Sequence, residues 1–207
     1  MSTLTSITES KWHGTLALHL WKQKWGKLMR EKTLWITKTA MLLALLIVLQ
    51  AVTRSFSQLV TGSCVNAVLA LAVLTAGLPS SIVIASISPF AAFLLGIGPQ
   101  LFPIVPAIAA GNIVFVAALW VLTHKHQGEL KWSLTGWFVS SVCKFLTLYV
   151  IVVQLLCRIL PLKEAQIATF STMFSWPQLF TALIGGAAAI LIAPRLRKAL
   201  RSDSRSH

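Results

Sequence analysis

The chain has 207 residues, of which 56% are hydrophobic and 11% charged, with a mean hydropathy of +0.78, a balance that excludes an ordinary soluble domain. Its 18 Lys and Arg against 5 acids give a formal charge of +13. In a polytopic membrane protein that excess reads first as a topology signal, and with no nucleic-acid motif beside it, nucleic acid is not an expected partner.

Residues 1–32 form a basic N-terminal segment. Leu20, Trp21, Trp25, Leu28 and Met29 fall near helical spacing beside Lys22, Lys24, Lys27 and Arg30. This is the pattern of an interfacial helix lying on an anionic leaflet, with a disordered basic tail as the alternative. A short apolar core followed by a small-residue cleavage site is missing, so no removable signal peptide is expected.

Residues 33–195 read as an all-α integral membrane domain, a bundle of six transmembrane helices. The first covers about 36–52, with Lys38 at one end and Gln50 and Arg54 at the other. Ala40 and Ala44 lie four residues apart and share a face, and small residues at that spacing let a second helix approach closely. Next, Gly77, Leu78 and Pro79 divide an apolar run that starts near Asn66 into helices over 64–76 and 80–96. Each is shorter than the roughly 20 residues of a straight span, so flanking residues extend them or they form a re-entrant pair.

The stretch GIGPQLFPIVP, with Pro99, Pro103 and Pro106, predicts a structured loop feeding a fourth helix that runs to about Thr123 and carries Asn112 inside it. A polar linker, HKHQGELK, precedes the fifth helix, Trp132 to Arg158. The loop LPLKEAQIATFST then leads to a sixth, from Trp176 to Ala193, and residues 196–207 form a basic tail expected to fray.

The fifth helix carries one charge, Lys144, near its middle. An isolated ammonium at the centre of a membrane helix costs about 2.5–3.5 kcal/mol, so such residues face the bundle interior or a wet cavity and mark a pathway or a ligand. The alternative is a lysine that snorkels along its stem to an interface.

With six crossings, every Lys and Arg except Arg54, Arg158, Lys163 and Lys144 falls on the side of the two termini and the 124–131 linker. That places both termini in the cytoplasm. Gln50, Arg54, Gln58, Asn66, Trp176 and Gln178 then lie toward the outer face, with Asn112, Lys144 and Tyr149 nearer the middle. Their convergence predicts an outward-opening pocket for a small polar solute, whereas separate interhelical hydrogen bonds would use the same residues without one. Trp176 and Tyr149 suit stacking on a ring or an interfacial belt.

No acid falls inside a predicted span, and the histidines lie in the tails and the linker, so no carboxylate or histidine proton relay is expected. No GxxxxGK[ST], HExxH or GxSxG pattern occurs, so the chain is expected neither to hydrolyse ATP nor to be an enzyme. Cys64, Cys143 and Cys157 are scattered without paired spacing. Neither a disulfide framework nor a metal site is indicated, and no cofactor is expected.

This set of features resembles the S components of energy-coupling factor (ECF) transporters, the bacterial vitamin-uptake binding subunits. The strings TGSCVNAVLALAVLTAGLPSSIVIASISPF and PIVPAIAAGNIVFVAAL look like their second to fourth helices, and the lysine of SSVCKFLTLY fits their fifth. The resemblance, over residues 33–195, implies a multi-pass protein of the bacterial cell membrane. It also implies that Ala40 and Ala44 dock on a separate transmembrane T component carried by two ABC ATPases. Loops at 54–63, 97–103 and 159–175 would enclose the solute. Substrate-binding candidates are Lys144, Asn112, Arg54, Gln50, Asn66, Tyr149, Trp176 and Gln178. A fixed cation suits a carboxylate or phosphate, so pantothenate-like or folate-like solutes fit better than cationic thiamine. The competing classes are a small secondary transporter or channel and a non-transport membrane assembly factor.

Overall fold

In lipid the backbone must satisfy its own N–H and C=O groups, which leaves long apolar runs little choice but the helix. The structure, a computed structural model, describes residues 2–126 and 128–203, with side chains over 21–126 and 128–199. Among the described residues there is no strand. The helices are α1 (Ser2–Thr53), α2 (Gln58–Ala76), α3 (Leu78–Leu94), α4 (Ile104–Thr123), α5 (Leu130–Leu148), α6 (Cys157–Ile159), α7 (Glu164–Met173) and α8 (Trp176–Asp203). A π-helical segment, Tyr149–Leu156, joins α5 to α6. Five stretches are long and apolar enough to cross a membrane, and the 17-residue α3 is a shorter apolar helix.

The chain divides into two compact units, Met1–Lys38 and Thr39–His207. In the first, α1 is a continuous helix from Ser2, and Trp21 and Trp25 meet with ring centroids 5.5 Å apart. Trp21, Trp25, Leu28 and Met29 are exposed, as are the basic residues between them. The side chain of Leu20 lies outside the described residues.

The second unit inverts the pattern of a soluble protein. Met41, Val48, Phe138, Phe180, Ile184 and Leu191 are exposed, whereas Asn66, Ser88, Asn112, Ser140, Ser141, Lys144 and Thr181 are buried. One apolar cluster (Leu46, Leu69, Ile84, Phe115, Leu119, Ala189) lies among α1, α2, α3, α4 and α8. A second, with Ile104, Leu148, Val152, Phe170 and Phe174, lies where α4, α5 and the π segment meet α7.

Two glycines set the helix geometry. Gly77, at φ 85° and ψ 179°, occupies a backbone region open essentially to glycine alone. It lets α3 follow α2 with a single residue between them. On α8, a Cβ at Gly185 would collide with the Ser63 carbonyl and sit 2.7 Å from the Ala67 nitrogen. α8 therefore lies backbone to backbone against α2, the close approach that small residues permit in lipid. The indole of Trp137 on α5 donates to the Leu183 carbonyl at 2.8 Å and ties a third helix to this pair.

Flanking residues lengthen α2, which starts at Gln58 and has 19 residues, one of the two alternatives expected for it. The structure corrects the sequence reading in two places. The fifth helix is not uniform: its π segment brings the Cys157 N–H to the Val152 carbonyl, five residues back. The sixth continues past Pro194 to Asp203 instead of fraying. Proline lacks an N–H and weakens that turn, but Arg197 Nε donates to the Leu74 carbonyl at 2.7 Å and Leu196 packs on the core, so the helix is held beyond the break.

Candidate functional site

The loops after α1 and α3 and the α7–α8 junction lie at one end of the Thr39–His207 unit. There they and the adjoining helices enclose a cavity of about 380 Å³. Its size falls near the lower end of the roughly 300–1,000 Å³ of small-molecule sites. Phe93 of α3, Ile108 of α4 and Phe174 beyond α7 supply apolar wall, and Arg54, Gln58 and Gln178 supply polar groups. The amides of Gln58 and Gln178 both donate to the Met173 carbonyl, at 2.8 and 3.3 Å. They pin the α7–α8 junction to the start of α2.

Lys144 reaches this cavity from α5 and is 3% exposed. Its ammonium donates to Asn66 Oδ1 of α2 and to Asn112 Oδ1 of α4, each at 2.6 Å, and stands 5.5 Å from the Phe115 ring centroid. Asn66 in turn donates to Thr181 Oγ1 of α8 at 3.3 Å, and Thr181 donates to the Gln178 carbonyl at 3.0 Å. Four helices thus converge on one cation. An ammonium has three donors, and two are taken here by neutral oxygens. No carboxylate lines the cavity, and among the described residues the only ion pair is His126 with Glu129, in the linker after α4. A buried charge without a counter-charge is costly, and a bound anion would complete the set.

Six of the eight residues predicted to bind solute line the cavity: Gln50, Arg54, Asn66, Asn112, Lys144 and Gln178. Arg54 is exposed at the end of α1, its guanidinium 4.0 Å from the position of a Cβ built on Gly96. Tyr149 and Trp176 are not among the lining residues. The Tyr149 hydroxyl accepts from Gln154 at 3.1 Å, and Trp176 stacks on Phe145 at 5.8 Å with 64% of its surface exposed. Trp176, exposed at the start of α8, fits the belt alternative, whereas Tyr149 is partly buried where α5 passes into the π segment. Thr61, Met173 and Phe174 line the cavity from within the loops expected to enclose the solute, whereas Ser88 and Phe93 of α3 line it from outside the expected residues and loops. Of these two, only Ser88 left a trace in the sequence, as a hydroxyl beside a helix-interior proline, Pro89. No cluster among the described residues has the make-up of a metal site.

A family model described as the substrate-specific component of ECF transporters matches residues 34–197. No curated protein and no solved structure matches the chain. The match takes in all of the cavity, Ala40 and Ala44, and every helix of the bundle, while the whole of the basic N-terminal segment, residues 1–32, lies outside it. With a multi-pass helical bundle and a cavity at one end of it, the chain belongs to the ECF transporter family as a substrate-specific S component, a transporter subunit that works with a T component and ATPases and is not an enzyme.

Proposed function

We propose that the chain captures a compact, anionic, vitamin-like solute at the outer face of a bacterial cell membrane and delivers it to an ECF importer. The observation that carries this reading is Lys144, buried at the cavity, held by two neutral carbonyl oxygens, and without a carboxylate to balance it. Arg54, exposed at the cavity rim, would guide the same anion inward. The cavity volume favours a pantothenate-sized solute over one as large as cobalamin. The charge distribution favours cytoplasmic termini, which turns the cavity outward.

Removing Lys144 tests the solute's charge. Hydrogen bonds to charged groups contribute about 1.5–3 kcal/mol. Lys144→Met should therefore weaken binding of the copurified solute about 10- to 100-fold in calorimetry while the protein stays inserted and monodisperse. Unchanged affinity would exclude an anion partner for Lys144.

The partner reading rests on Ala40 and Ala44, which are exposed on α1 while Thr39, Leu46 and Gln50 are buried. A shallow strip of this kind suits the close helix approach of a T component that is itself carried by two ABC ATPases. Ala40→Trp or Ala44→Trp should abolish copurification with a tagged T subunit and leave solute binding by the isolated protein intact. A complex that survives both substitutions removes the strip from the docking surface.

A further inference from the structure

Three buried side-chain atoms among the described residues have no hydrogen-bond partner: Gln50 Oε1, Ser63 Oγ and Ser88 Oγ. Two of their residues, Gln50 of α1 and Ser88 of α3, line the cavity, with exposures of 6% and 0%. Buried polar atoms are nearly always satisfied, so an orphan asks for a cause.

Other hydroxyls of α3 show how easily Ser88 could have been satisfied. Ser81 reaches back to the Gly77 and Leu78 carbonyls, Ser86 bonds to Ile82, and Ser80 accepts from Thr39. Ser88 makes no such bond. The next residue, Pro89, also lines the cavity and brings no N–H, so the Ala85 carbonyl lacks its usual helical donor at just this turn. The α1 and α3 wall thus offers the carbonyl oxygen of Gln50 and the hydroxyl of Ser88, neither of them used by the protein. Lys144 does the reverse, offering a spare donor from α5.

On the reading that Lys144 takes the solute's anion, we infer that the same solute carries a hydroxyl or N–H group on its apolar skeleton, and that Gln50 and Ser88 receive it. The site selects for hydroxy acids or amide- or amino-bearing acids over bare carboxylates of equal size. A polar site that loses its partner leaves its own groups unpaired, which is why such sites discriminate strongly against the analogue lacking the group.

The experiment uses the full chain purified in mild detergent. The solute it retains is released by denaturation and identified by mass spectrometry with fragmentation. Titration calorimetry then compares that molecule with its analogue in which the donor is replaced by hydrogen, on wild type, Ser88→Ala and Gln50→Leu. The expected solute has an acidic group and a hydroxyl or N–H. The analogue should bind wild type roughly tenfold more weakly, and Ser88→Ala should show a much smaller preference between the two. Gln50→Leu gives the same readout from the other helix should one variant fail to fold. A retained acid with no donor group, or equal loss of both probes in both variants, overturns this inference and leaves the role of Lys144 standing. A retained molecule without an acidic group, or none at all, goes against the anion reading itself.

Discussion

On one side of the cavity, Lys144, Asn66, Asn112 and Thr181 hydrogen-bond one another in a chain that crosses α5, α2, α4 and α8. On the α1 and α3 side, Gln50 Oε1 and Ser88 Oγ are also buried and have no partner. Both groups draw on side-chain amides and hydroxyls, yet one network holds helices together and the other has capacity left over. In a bundle without water, polar side chains that saturate one another act as interhelical fasteners, whereas unsaturated ones beside a void are the groups a solute can use. The network also adjoins a close backbone approach, Gly185 of α8 against Ser63 and Ala67 of α2.

The contrast can be broken most severely at that contact. Gly185→Leu places a side chain where only backbone can give way, so its cost should exceed the usual 1–3 kcal/mol of overpacking by about as much again. The variant should fail to yield a monodisperse peak in size-exclusion chromatography. A folded, solute-binding Gly185→Leu protein would mean that the α2–α8 seam is not what positions Asn66.

Asn112→Asp sharpens the contrast by giving the satisfied wall a charge of its own. A carboxylate would stand where Asn112 Oδ1 now accepts from Lys144 at 2.6 Å, neutralising the cation and repelling an anionic solute. Affinity in calorimetry should fall on the order of 100-fold while the thermal midpoint holds or rises. Full affinity in this variant would show that the solute does not use the lysine's charge.

The smallest effect is expected at Thr181→Val, which keeps the shape and removes the hydroxyl that accepts from Asn66. It leaves one buried donor unpaired, a loss of about 1–3 kcal/mol. The thermal midpoint in detergent should drop by a few degrees, and solute affinity should change only severalfold. A drop in affinity as large as that of Asn112→Asp would assign Thr181 to the solute and not to the fastening network.

Much of the bundle was legible because lipid imposes strong rules on composition. Apolar runs separated by Gly, Pro and charge clusters mark the helices, and Gly77 with Pro79 marks the α2–α3 corner, where a positive φ is required. Lys144 stood out for the same reason: a cation within an apolar run has few acceptable surroundings. The π segment left no comparable mark, since YVIVVQLL is as apolar and β-branched as many α-helical stretches. Nor did Arg197, whose bond to the Leu74 carbonyl joins residues far apart in the chain.

The sequence by itself determined that this protein is a helical membrane bundle and that Lys144 needs a partner, because hydropathy and charge are sums over local residues. Only the tertiary structure decided which partners it has. Tyr149 and Trp176 share the fifth and sixth helices with Lys144 and Gln178, yet they meet Gln154 and Phe145 while the other two line the cavity. Ser88, one serine among several on α3, lines the cavity without a bond of its own. Position along a helix fixes depth, but the azimuth that a side chain presents to its neighbours follows from how the helices pack, and that is set by contacts such as Gly185 on Ser63, between residues remote in sequence.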